Sequence, residues 1–422
     1  MVTVIGLGFV GLTTALGFAE YGHKVYGIEA NPGRLKTIQD GRLPFLEPGL
    51  DGALARHLGK NFIPTDDIDT AIANSDYVYY CVGTPYGTDG SADLTYLYAA
   101  IEQTLGAIHD DKFRVLVTKS TIPPSTTERR IIPFLEERGI RVGVDLGVAN
   151  NPEFLREGHC WEDFTNADRI VIGVSDPRSE EMFRYLYANE KAPLCFVSLT
   201  TGEFIKYLSN TSLACLISFA NEMSLAADRI SRTTGGGGGI DVSEAFRILH
   251  MDKRWQNGTI RNYFYPGCGY GGYCLPKDTN AFYAVAKSSG FDGKILRDVI
   301  ALNDEMPRHA AQRIIRAAGQ DRNTRIAVLG LSFNSGSDDV RDTPSAKIIR
   351  ALNEEGYENI MAYDPEAIDS FRAAYDVKCS YAGSLDEALN GAQTAAILTA
   401  WPEFRNVREK FSKSIVDCRY ML

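Results

Sequence analysis

The sequence predicts an α/β fold in which two doubly wound parallel-sheet domains are joined by a long central helix. Short apolar segments of strand length alternate with helical segments over the first 200 residues. From residue 201 to about 227, apolar residues recur at helical spacing without a proline, and a second alternation of strands and helices begins at Arg325. Such alternation is typical of parallel sheets that are covered by helices on both faces.

The length of the chain predicts more than one domain. At 422 residues it exceeds the size of one ordinary hydrophobic core. We place a first sheet domain at 1–200, a central helical region at 201–310 and a second sheet domain at 320–422. The run of five glycines at 235–239 has no side chains to pack and predicts a flexible tether.

The composition excludes several classes of function. The net charge is −10, whereas binding along a nucleic acid needs a clustered basic face. No apolar run reaches the roughly 18 to 20 residues that span a bilayer, and the first residues do not form a secretory signal. We therefore expect a cytoplasmic protein that binds neither nucleic acid nor membrane. The eight cysteines include no CxxC pair, so no metal site is predicted.

The first strands are short and apolar. VTVIG leads through glycines into an apolar helix that ends near Ala19, and KVYGIE forms the second strand. Further strands are predicted within 77–83, 114–121, 147–154 and 169–174. The order of strand, helix and strand at the start of the chain is that of a nucleotide-binding βαβ unit.

A glycine motif in the first βαβ turn predicts a dinucleotide site of Rossmann type. In GLGFVG, Gly6 permits a tight turn, Gly8 lets the backbone approach a pyrophosphate, and Gly11 allows close packing of helix on strand. Glu29, at the end of the second strand, is placed to accept hydrogen bonds from the ribose hydroxyls. Its charge repels a 2′-phosphate, so the predicted cofactor is NAD. Arg34 nearby is the one feature that favours NADP.

The second α/β unit is Rossmann-like in layout but lacks the fingerprint. It begins RIAVLGLSF, continues through a helix near 344–355 and a strand at NIMAYDP, and ends with TAAILTAW and SIVDCRYML. Its first turn has neither the second nor the third glycine of the motif. We predict that this domain does not bind a dinucleotide.

A second glycine-rich segment, GCGYGGYCLPKDT at 267–279, contains a candidate nucleophile. Glycines expose backbone N–H donors, which an oxyanion or a phosphate requires. Cys274 could attack an electrophilic carbon if a cation such as Lys277 lowered the pKa of its thiol. If this segment is helical, Asp278 lies one turn beyond the thiol on the same side.

The long helix contributes two more polar groups. Lys206 and Asn210 are four residues apart, which presents an amine and an amide on one face. Together with the cysteine segment, they predict a site that handles an oxyanion and a covalent intermediate.

These motifs resemble those of the UDP-glucose/GDP-mannose dehydrogenase family. The matching segments run in order along nearly the whole chain: LEPGL at 46–50, KSTIPP at 119–124, NPEFLREG at 151–158, EFIKYLSN at 203–210, GYGGYCLPKDT at 269–279 and SGSDDVRDTPS at 335–345. The resemblance implies an NAD-dependent, four-electron oxidation of a nucleotide-sugar C6 alcohol to a carboxylate, without a metal. It also implies UDP-glucose as the substrate and a homodimer formed through the long helix.

The resemblance assigns six catalytic residues: Cys274, Lys206, Asn210, Asp278, Glu153 and Thr121. Cys274 would form a thiohemiacetal and then a thioester with the sugar. Lys206 would stabilise the C6 oxygen with help from Asn210, and Asp278 would take part in proton transfer. Glu153 would act as a base on a water held near C6.

The resemblance also implies two sets of ligand contacts. Those to NAD come from Gly6, Gly8, Val10, Gly11, Glu29, Arg34, Thr84, Thr121, Glu157, Lys277 and Arg341. Those to the nucleotide sugar come from Glu153, Phe154, Leu155, Arg156, Glu157, Lys206, Asn210, Tyr263, Phe264, Tyr265, Pro266, Gly267, Gly271 and Asn334.

Two departures from the family pattern leave alternatives open. The family usually has a lysine where Asn334 stands, and an amide cannot supply a full charge to a pyrophosphate. GDP-mannose or a UDP-N-acetylhexosamine therefore remains an alternative substrate. A gap in KRWQNGTIRNYFYPG leaves both Arg254 and Arg261 as candidates for the arginine that reaches the partner subunit's substrate.

The same residues also allow other structural and functional interpretations. Asp278 could cap the helix that follows it, Lys206 could be a solvated charge, and Thr121 could be an ordinary strand residue. A one-step hydroxyacid dehydrogenase would share the glycine motif but would have no use for Cys274. A nucleotide-sugar-binding protein that has lost catalysis is the alternative from outside the enzymes.

Overall fold

The fold is described from a computed structural model that covers residues 1–87, 90–233, 239–255 and 259–422. The chain separates into two compact units, Met1–Ser209 and Asn210–Leu422. Each unit contains a sheet of mainly parallel strands, and the long helix Leu199–Thr233 begins in the first unit and ends in the second. The predicted fold class is confirmed. Residues 235–238 of the predicted glycine tether lie outside the described residues.

The first sheet has eight strands in the order β3-β2-β1-β4-β5-β6-β7-β8. The strands are β1 Val2–Ile5, β2 Val25–Ile28, β3 Phe62–Thr65, β4 Tyr77–Tyr80, β5 Val115–Thr118, β6 Gly147–Asn150, β7 Ile170–Val174 and β8 Leu194–Val197. Only the β6 and β7 pair is antiparallel. The chain order reverses between β1 and β4, and ligands of open α/β sheets bind at the carboxyl ends of strands beside such a reversal.

The two edge strands β3 and β8 were not predicted from the sequence. The segment FIPT of β3 contains a proline, which edge strands tolerate because one side of the strand needs no ladder hydrogen bond. All four residues of β8 are only half-buried, so they lack the continuous apolar signal of the central strands.

Alternate residues of the central strands build two separate cores. Val2, Val4 and Tyr79 face one core, whereas Ile5 and Tyr80 face the other. This period of two follows from the pleat, which points successive side chains to opposite faces. Because both faces are covered, the central strands are apolar throughout and fix the positions of the loops at their ends.

The helices of the first unit cover these two faces. They are α1 Phe9–Glu20, α2 Pro32–Gln39, α3 Leu50–His57, α4 Ile68–Asn74, α5 Thr95–Gly106, α6 Ile132–Glu136, α7 Cys160–Thr165, α8 Pro177–Leu186 and the start of α9 Leu199–Thr233. A π-helical turn, Thr127–Ile131, precedes α6.

The second unit has helices followed by a smaller sheet. The helices are α10 Val242–Leu249, α11 Cys274–Ser288, α12 Lys294–Ala318, α13 Pro344–Glu354, α14 Ile368–Ala374, α15 Leu385–Leu389 and α16 Val407–Lys410, with 3₁₀ turns at Lys253–Trp255, Thr259–Asn262 and Pro402–Asn406. The strands are β9 Ile326–Leu329, β10 Ile360–Tyr363, β11 Ser380–Tyr381, β12 Thr394–Ile397 and β13 Ser414–Asp417. All pairs in this sheet are parallel, in the order β11-β10-β9-β12-β13.

Helix α9 is longer than its predicted span of 201 to about 227, and its faces differ in character. Lys206, Tyr207 and Asn210 lie on a buried face. On the opposite face, Leu208 is 50% and Phe219 is 51% exposed. Among the described residues, none of the helices combines the length and the continuous apolar character of a membrane span.

Asp364, at the end of β10, joins several segments of the second unit. Its Oδ2 accepts hydrogen bonds from the backbone N–H groups of Leu331 and Ser332, at 2.7 and 3.0 Å, and from Trp401 Nε1 at 3.0 Å. Its Oδ1 accepts from two more backbone N–H groups at the start of the next turn. The carboxylate is buried, so its bonds replace its hydration.

We expect Asp364→Ala to destabilise the second unit by about 3 kcal/mol or more, because several buried donors lose their acceptor together. Urea unfolding followed by tryptophan fluorescence measures the loss. Asp369→Ala is the matched control, since the Asp369 side chain is 98% exposed. Equal stabilities of the two variants would contradict this view of Asp364.

Candidate active site

The three glycines of the first turn occupy the positions that the sequence predicts for a dinucleotide site. Gly6 has a φ of +90°, and a Cβ atom there would lie 2.9 Å from the carbonyl oxygen of Cys81. A Cβ atom on Gly11 would lie 1.7 Å from the carbonyl oxygen of Gly6, so helix and turn pack without space for a side chain. Gly8 has nothing within 4 Å of that position. Its open face leaves room for a pyrophosphate beside the start of α1.

Glu29 is held rigidly beside this turn. Its carboxylate accepts hydrogen bonds from the backbone N–H groups of Leu7 and Asn31, at 3.0 and 2.8 Å. Arg34 Nη1 lies 3.3 Å from the same carboxylate. These contacts fix an acceptor at the end of β2, where the ribose of a dinucleotide lies in this fold. Arg34, the feature that favours NADP, is an ion-pair partner of Glu29. The residues present therefore fit NAD.

Two further cofactor candidates meet at the ends of β4 and β5. The Thr84 hydroxyl donates a hydrogen bond to the backbone oxygen of Thr121 at 2.9 Å. Next to it, the Ser120 hydroxyl donates to the backbone oxygen of Val82 at 2.6 Å. Strand β5 ends at Thr118, so Thr121 belongs to the loop and is not an ordinary strand residue. Val10 lies in the first turn of α1.

Glu153 and Lys206 form a buried ion pair within the first unit. Lys206 Nζ lies 2.7 Å from Glu153 Oε1, and both side chains are less than a tenth exposed. Glu153 Oε2 accepts a hydrogen bond from the backbone N–H of Leu155 at 2.7 Å. Burial alone would raise the pKa of Glu153, but the Lys206 ammonium and these hydrogen bonds hold it below its usual value. Lys206 is therefore not a solvated charge.

The rest of the segment 153–157 is tied to its surroundings. The Phe154 ring lies 5.6 Å from Lys206 Nζ and 4.3 Å from the Arg169 guanidinium. Arg156 pairs with Asp163 at 2.5 Å, which fastens the segment to α7. Glu157 is half-buried beside them. The structure thus places five predicted substrate residues in one fixed loop, and one of them, Glu157, is also a predicted NAD ligand.

In the second unit, the predicted polar groups converge on Asp278. Asn210 Nδ2 donates to Asp278 Oδ2 at 2.6 Å, and Lys277 Nζ lies 2.5 Å from Asp278 Oδ1. Asp278 is fully buried within α11, which begins at Cys274. Its position inside the helix excludes the reading that Asp278 caps the helix.

Cys274 is the first residue of α11. Its side chain is half-buried, and Asp278 follows one helical turn later on the same side. The amino end of a helix has unpaired N–H groups and the positive end of the helix dipole, so it stabilises negative charge on sulfur or oxygen. The arrangement can therefore support a thiolate nucleophile and a neighbouring buried carboxylate.

Part of the predicted substrate loop 263–267 lines a pocket, and another part lies in the hydrophobic core. The pocket, of about 480 Å³, is lined by Arg247, His250, Met251, Asn262, Tyr265, Pro266, Ala400 and Arg419. Phe264 instead stacks between Trp255 and Phe219, with ring centroids at 4.7 and 5.8 Å. Tyr263 is half-buried, and Gly267 is buried against the Arg419 guanidinium.

Gly271 and Asn334 differ in their surroundings. A Cβ atom on Gly271 would lie 2.6 Å from the backbone oxygen of Asp342, so its bare face serves close packing of the loop. Asn334 is exposed. Arg341 pairs with Asp339 at 2.7 Å, and its guanidinium lies 4.8 Å from the Tyr273 ring.

The candidates for the arginine that reaches a partner subunit are only partly described. Arg254 forms a surface ion pair with Asp252 at 2.6 Å. The Arg261 side chain lies outside the described residues.

Five further polar residues were not predicted from the sequence. Glu47 is buried and accepts hydrogen bonds from the backbone N–H groups of Gly158 and Cys160, so it fixes the end of the segment that carries Glu157. The other four are Lys119, Glu203, Arg247 and Arg419. Glu47, Lys119 and Glu203 lie in motifs quoted for the family resemblance, but charged residues in loops and helices carry no signal of burial. Within the described residues, no cluster of His, Cys, Asp or Glu could hold a metal ion.

Profiles of one protein family match three consecutive parts of the chain. The UDP-glucose/GDP-mannose dehydrogenase NAD binding domain matches residues 1–191, the central domain matches 200–305 and the UDP binding domain matches 327–422.

Several known proteins are similar to the chain over nine-tenths or more of their length. The chain is 38% identical to a UDP-glucose 6-dehydrogenase of Rhizobium meliloti, over 96% of this chain and 90% of that protein. A solved UDP-glucose dehydrogenase from Pyrobaculum islandicum superposes with a TM-score of 0.90 at 37% identity, covering 100% of this chain and 94% of that one. A UDP-D-ManNAc dehydrogenase from Pyrococcus horikoshii gives a TM-score of 0.84 at 28% identity, covering 100% and 96%.

Glu203 predicts a pH-dependent stability. One of its oxygens accepts hydrogen bonds from the Thr127 N–H and hydroxyl, and burial raises the pKa of Glu203 to about 7. Because this pKa lies above that of the unfolded chain, the folded protein retains a proton that the unfolded chain has lost. The stabilisation is complete below about pH 4 and is lost as the pH rises through about 7.

We expect the free energy of unfolding to fall by about 2 kcal/mol more in the wild type than in Glu203→Gln between pH 5.5 and 7.5. Chemical denaturation at both pH values measures this difference. Glu128→Gln, which changes an exposed neighbouring carboxylate, should keep the wild-type pH dependence. Parallel pH profiles of wild type and Glu203→Gln would show that Glu203 does not titrate in this range.

Proposed function

Because the chain belongs to the UDP-glucose/GDP-mannose dehydrogenase family, we propose that it oxidises UDP-glucose at C6 to UDP-glucuronate with two molecules of NAD. The observation that carries this proposal is Cys274 at the amino end of α11, with Asp278 one turn away and bonded to Asn210 and Lys277. A four-electron oxidation needs such a nucleophile, whereas the oxidation of an alcohol to a ketone does not.

In this proposal, each of the three predicted regions of the chain has its own role. Residues 1–200 bind NAD through the glycine turn and Glu29, residues 201–310 carry the nucleophile, and residues 320–422 contribute to binding of the nucleotide. NAD, when bound, accepts the two hydrides. The open face of Gly8 and the fixed carboxylate of Glu29 support binding of its pyrophosphate and ribose.

The first oxidation removes a proton from the C6 hydroxyl and a hydride from C6, leaving an aldehyde. Lys206 stabilises the negative charge that develops on the C6 oxygen, and Glu153 holds the Lys206 ammonium in position. Asn210, four residues along the same helix, assists through its amide. Thr121 and Glu157 hold a water near C6.

The second oxidation passes through Cys274. Its sulfur adds to the aldehyde carbon and forms a thiohemiacetal, and loss of the second hydride converts this adduct into a thioester. Water then attacks the thioester carbon, the carbon–sulfur bond breaks, and the carboxylate leaves with the thiol restored. Asp278 and Glu153 are the carboxylates available to accept the protons.

The pocket beside Tyr265 and Pro266 binds part of the nucleotide. Arg247 and Arg419 line it, and guanidinium groups bind phosphates through paired hydrogen bonds. They supply positive charge that Asn334 lacks. A UDP-N-acetylhexosamine is the second candidate substrate, supported by the similarity to the UDP-D-ManNAc dehydrogenase of Pyrococcus horikoshii and tested in the same assay.

We expect two NADH for each UDP-glucose consumed, with UDP-glucuronate as the product. A panel of UDP-glucose, UDP-N-acetylmannosamine and GDP-mannose, each with NAD, is followed by absorbance at the NADH band and by mass spectrometry of the product. One NADH per sugar would contradict the four-electron mechanism. Oxidation of another sugar in preference to UDP-glucose would reassign the substrate.

Cys274→Ala should lower net acid formation by about 1,000-fold or more, because no thioester can form. Cys379→Ala, a half-buried cysteine of the second sheet domain, serves as the control and should keep full activity. Undiminished acid formation by Cys274→Ala would contradict a thioester on Cys274, whereas one NADH per sugar with no acid formed would favour a one-step dehydrogenase. Binding of UDP-glucose by the wild type without any NAD reduction would indicate a protein that has lost catalysis.

We further propose a homodimer that buries the exposed face of α9. Leu208, Phe219, Met223 and Ile230 recur at helical spacing and are 50, 51, 40 and 50% exposed. Several exposed apolar residues along one helical stripe support a protein interface.

We expect Met223→Asp to convert the dimer to a monomer, since a charge would be buried in the apolar interface. Size-exclusion chromatography with light scattering gives the molar mass. Tyr185→Asp, at an exposed aromatic of α8, is the matched control and should remain dimeric. A monomeric wild type would refute the proposal.

We also place the protein in the cytoplasm. Within the described residues the cysteines form no disulfide bond, and proteins of reducing compartments keep their thiols reduced.

A further inference from the structure

Lys119 is a buried cation that the reaction steps above do not use. It follows β5, and its side chain is almost fully buried. Nζ donates two hydrogen bonds, both to Asn151, at 3.1 Å to Oδ1 and 3.3 Å to the backbone oxygen. Within the described residues, no carboxylate lies within ion-pair distance of Lys119.

Asn151 is itself fixed by neighbouring elements. Its Nδ2 donates to the backbone oxygen of Val171 in β7 at 2.7 Å, and the Tyr187 hydroxyl donates to its Oδ1 at 3.1 Å. Only Pro152 separates Asn151 from Glu153. The two bonds from Lys119 therefore hold the start of the turn that presents Glu153 to Lys206.

The ionisable groups that act on Lys119 come from three elements. Cys81 follows β4, Glu153 follows β6, and Lys206 lies on α9. Burial raises the pKa of Cys81 to about 12, so this thiol contributes no charge near neutral pH. Burial likewise raises the pKa of Tyr187, which leaves its hydroxyl neutral. Burial lowers the pKa of Lys119, and the neighbouring Glu153 carboxylate opposes this shift. With both ammonium groups protonated, Lys119, Glu153 and Lys206 sum to one positive charge.

A purely structural role does not require this charge. Burial of an ammonium without a carboxylate partner is unfavourable, and a neutral amide could donate to Asn151 instead. A site that forms an oxyanion, however, gains from fixed positive charge in a buried setting.

We infer that Lys119 is a positioning residue of the proposed C6 oxidation, which fixes the Glu153 turn through Asn151 and adds a second positive charge beside Lys206. The inference rests on the proposed function. The C6 oxygen becomes negative in the first oxidation and again in the thiohemiacetal, and both species benefit from the cluster. Arginine at position 119 keeps the charge, whereas methionine and glutamine remove it.

The test compares Lys119→Met, Lys119→Arg and Lys119→Gln with the wild type in UDP-glucose oxidation. Lys119→Met should lower kcat by about 10-fold or more, with the KM values for NAD and UDP-glucose changed by less than about 3-fold. Lys119→Arg should recover most of kcat. Lys112→Met, which removes an exposed lysine paired with Asp76, is the matched control and should behave as wild type.

The pH–rate profile separates this role from a loss of structure. A positive charge lowers the pKa of neighbouring ionisable groups, so its removal should raise the pKa of Glu153 and of Lys206. The limbs of the pH–rate profile that these two groups govern should therefore move to higher pH by about half a unit or more. The shift should appear in Lys119→Met and Lys119→Gln and be absent in Lys119→Arg and Lys112→Met. Lys119→Gln retains a donor to Asn151, so it provides the measurement if Lys119→Met does not fold.

An unshifted profile in both neutral variants, or an equal shift in Lys119→Arg, would overturn the inference. A kcat in Lys119→Met within about 2-fold of the wild type would overturn it as well. Failure of the proposed function is distinguishable, because the wild type itself would then not reduce NAD with UDP-glucose.

Discussion

Burial of Lys206 sets the main constraint on the site of the first unit. A lone ammonium is unstable in a protein interior, so its place on the inner face of α9 depends on a carboxylate of fixed position. Glu153 satisfies this need with one oxygen while the other accepts the Leu155 N–H. The loop after β6 and the first turns of α9 are thereby held together. The π-helical turn joins the same assembly through Glu203 and Thr127.

An acidic residue follows the second strand of each sheet in chain order, but the two residues have different roles. Glu29 directly follows β2 and Asp364 directly follows β10, and each accepts hydrogen bonds from the turn after β1 or β9, the first strand of its sheet in chain order. Glu29 stands beside a glycine with an open face. Asp364 is surrounded by N–H donors of its own unit, including the Trp401 indole. The first arrangement leaves room for a ribose, whereas the second serves as a structural junction.

Cys274 is the residue that most limits the range of functions. A one-step dehydrogenase would need the glycine turn, Glu29 and a lysine, all of which are present, but it would have no reason to place a thiol at a helix start beside a buried carboxylate. Lys277 illustrates a different limit of sequence analysis. The sequence predicts it as a cation for the thiol and as a cofactor ligand, and the structure pairs it with Asp278. Its charge therefore also compensates a buried carboxylate.

The sequence by itself determined the fold class, the dinucleotide turn and the identity of the polar residues, because periodicity, glycine spacing and ordered motifs are local features. Gly6, Gly8 and Gly11 could be assigned separate roles because each role depends on the backbone of one turn. Only the tertiary structure decided which charged side chains are buried and which groups they pair with. Nothing in the sequence distinguishes Lys119, Glu47 and Glu203 from exposed charged residues, although all three are buried. Their burial depends on segments far apart in sequence that the sheet brings together.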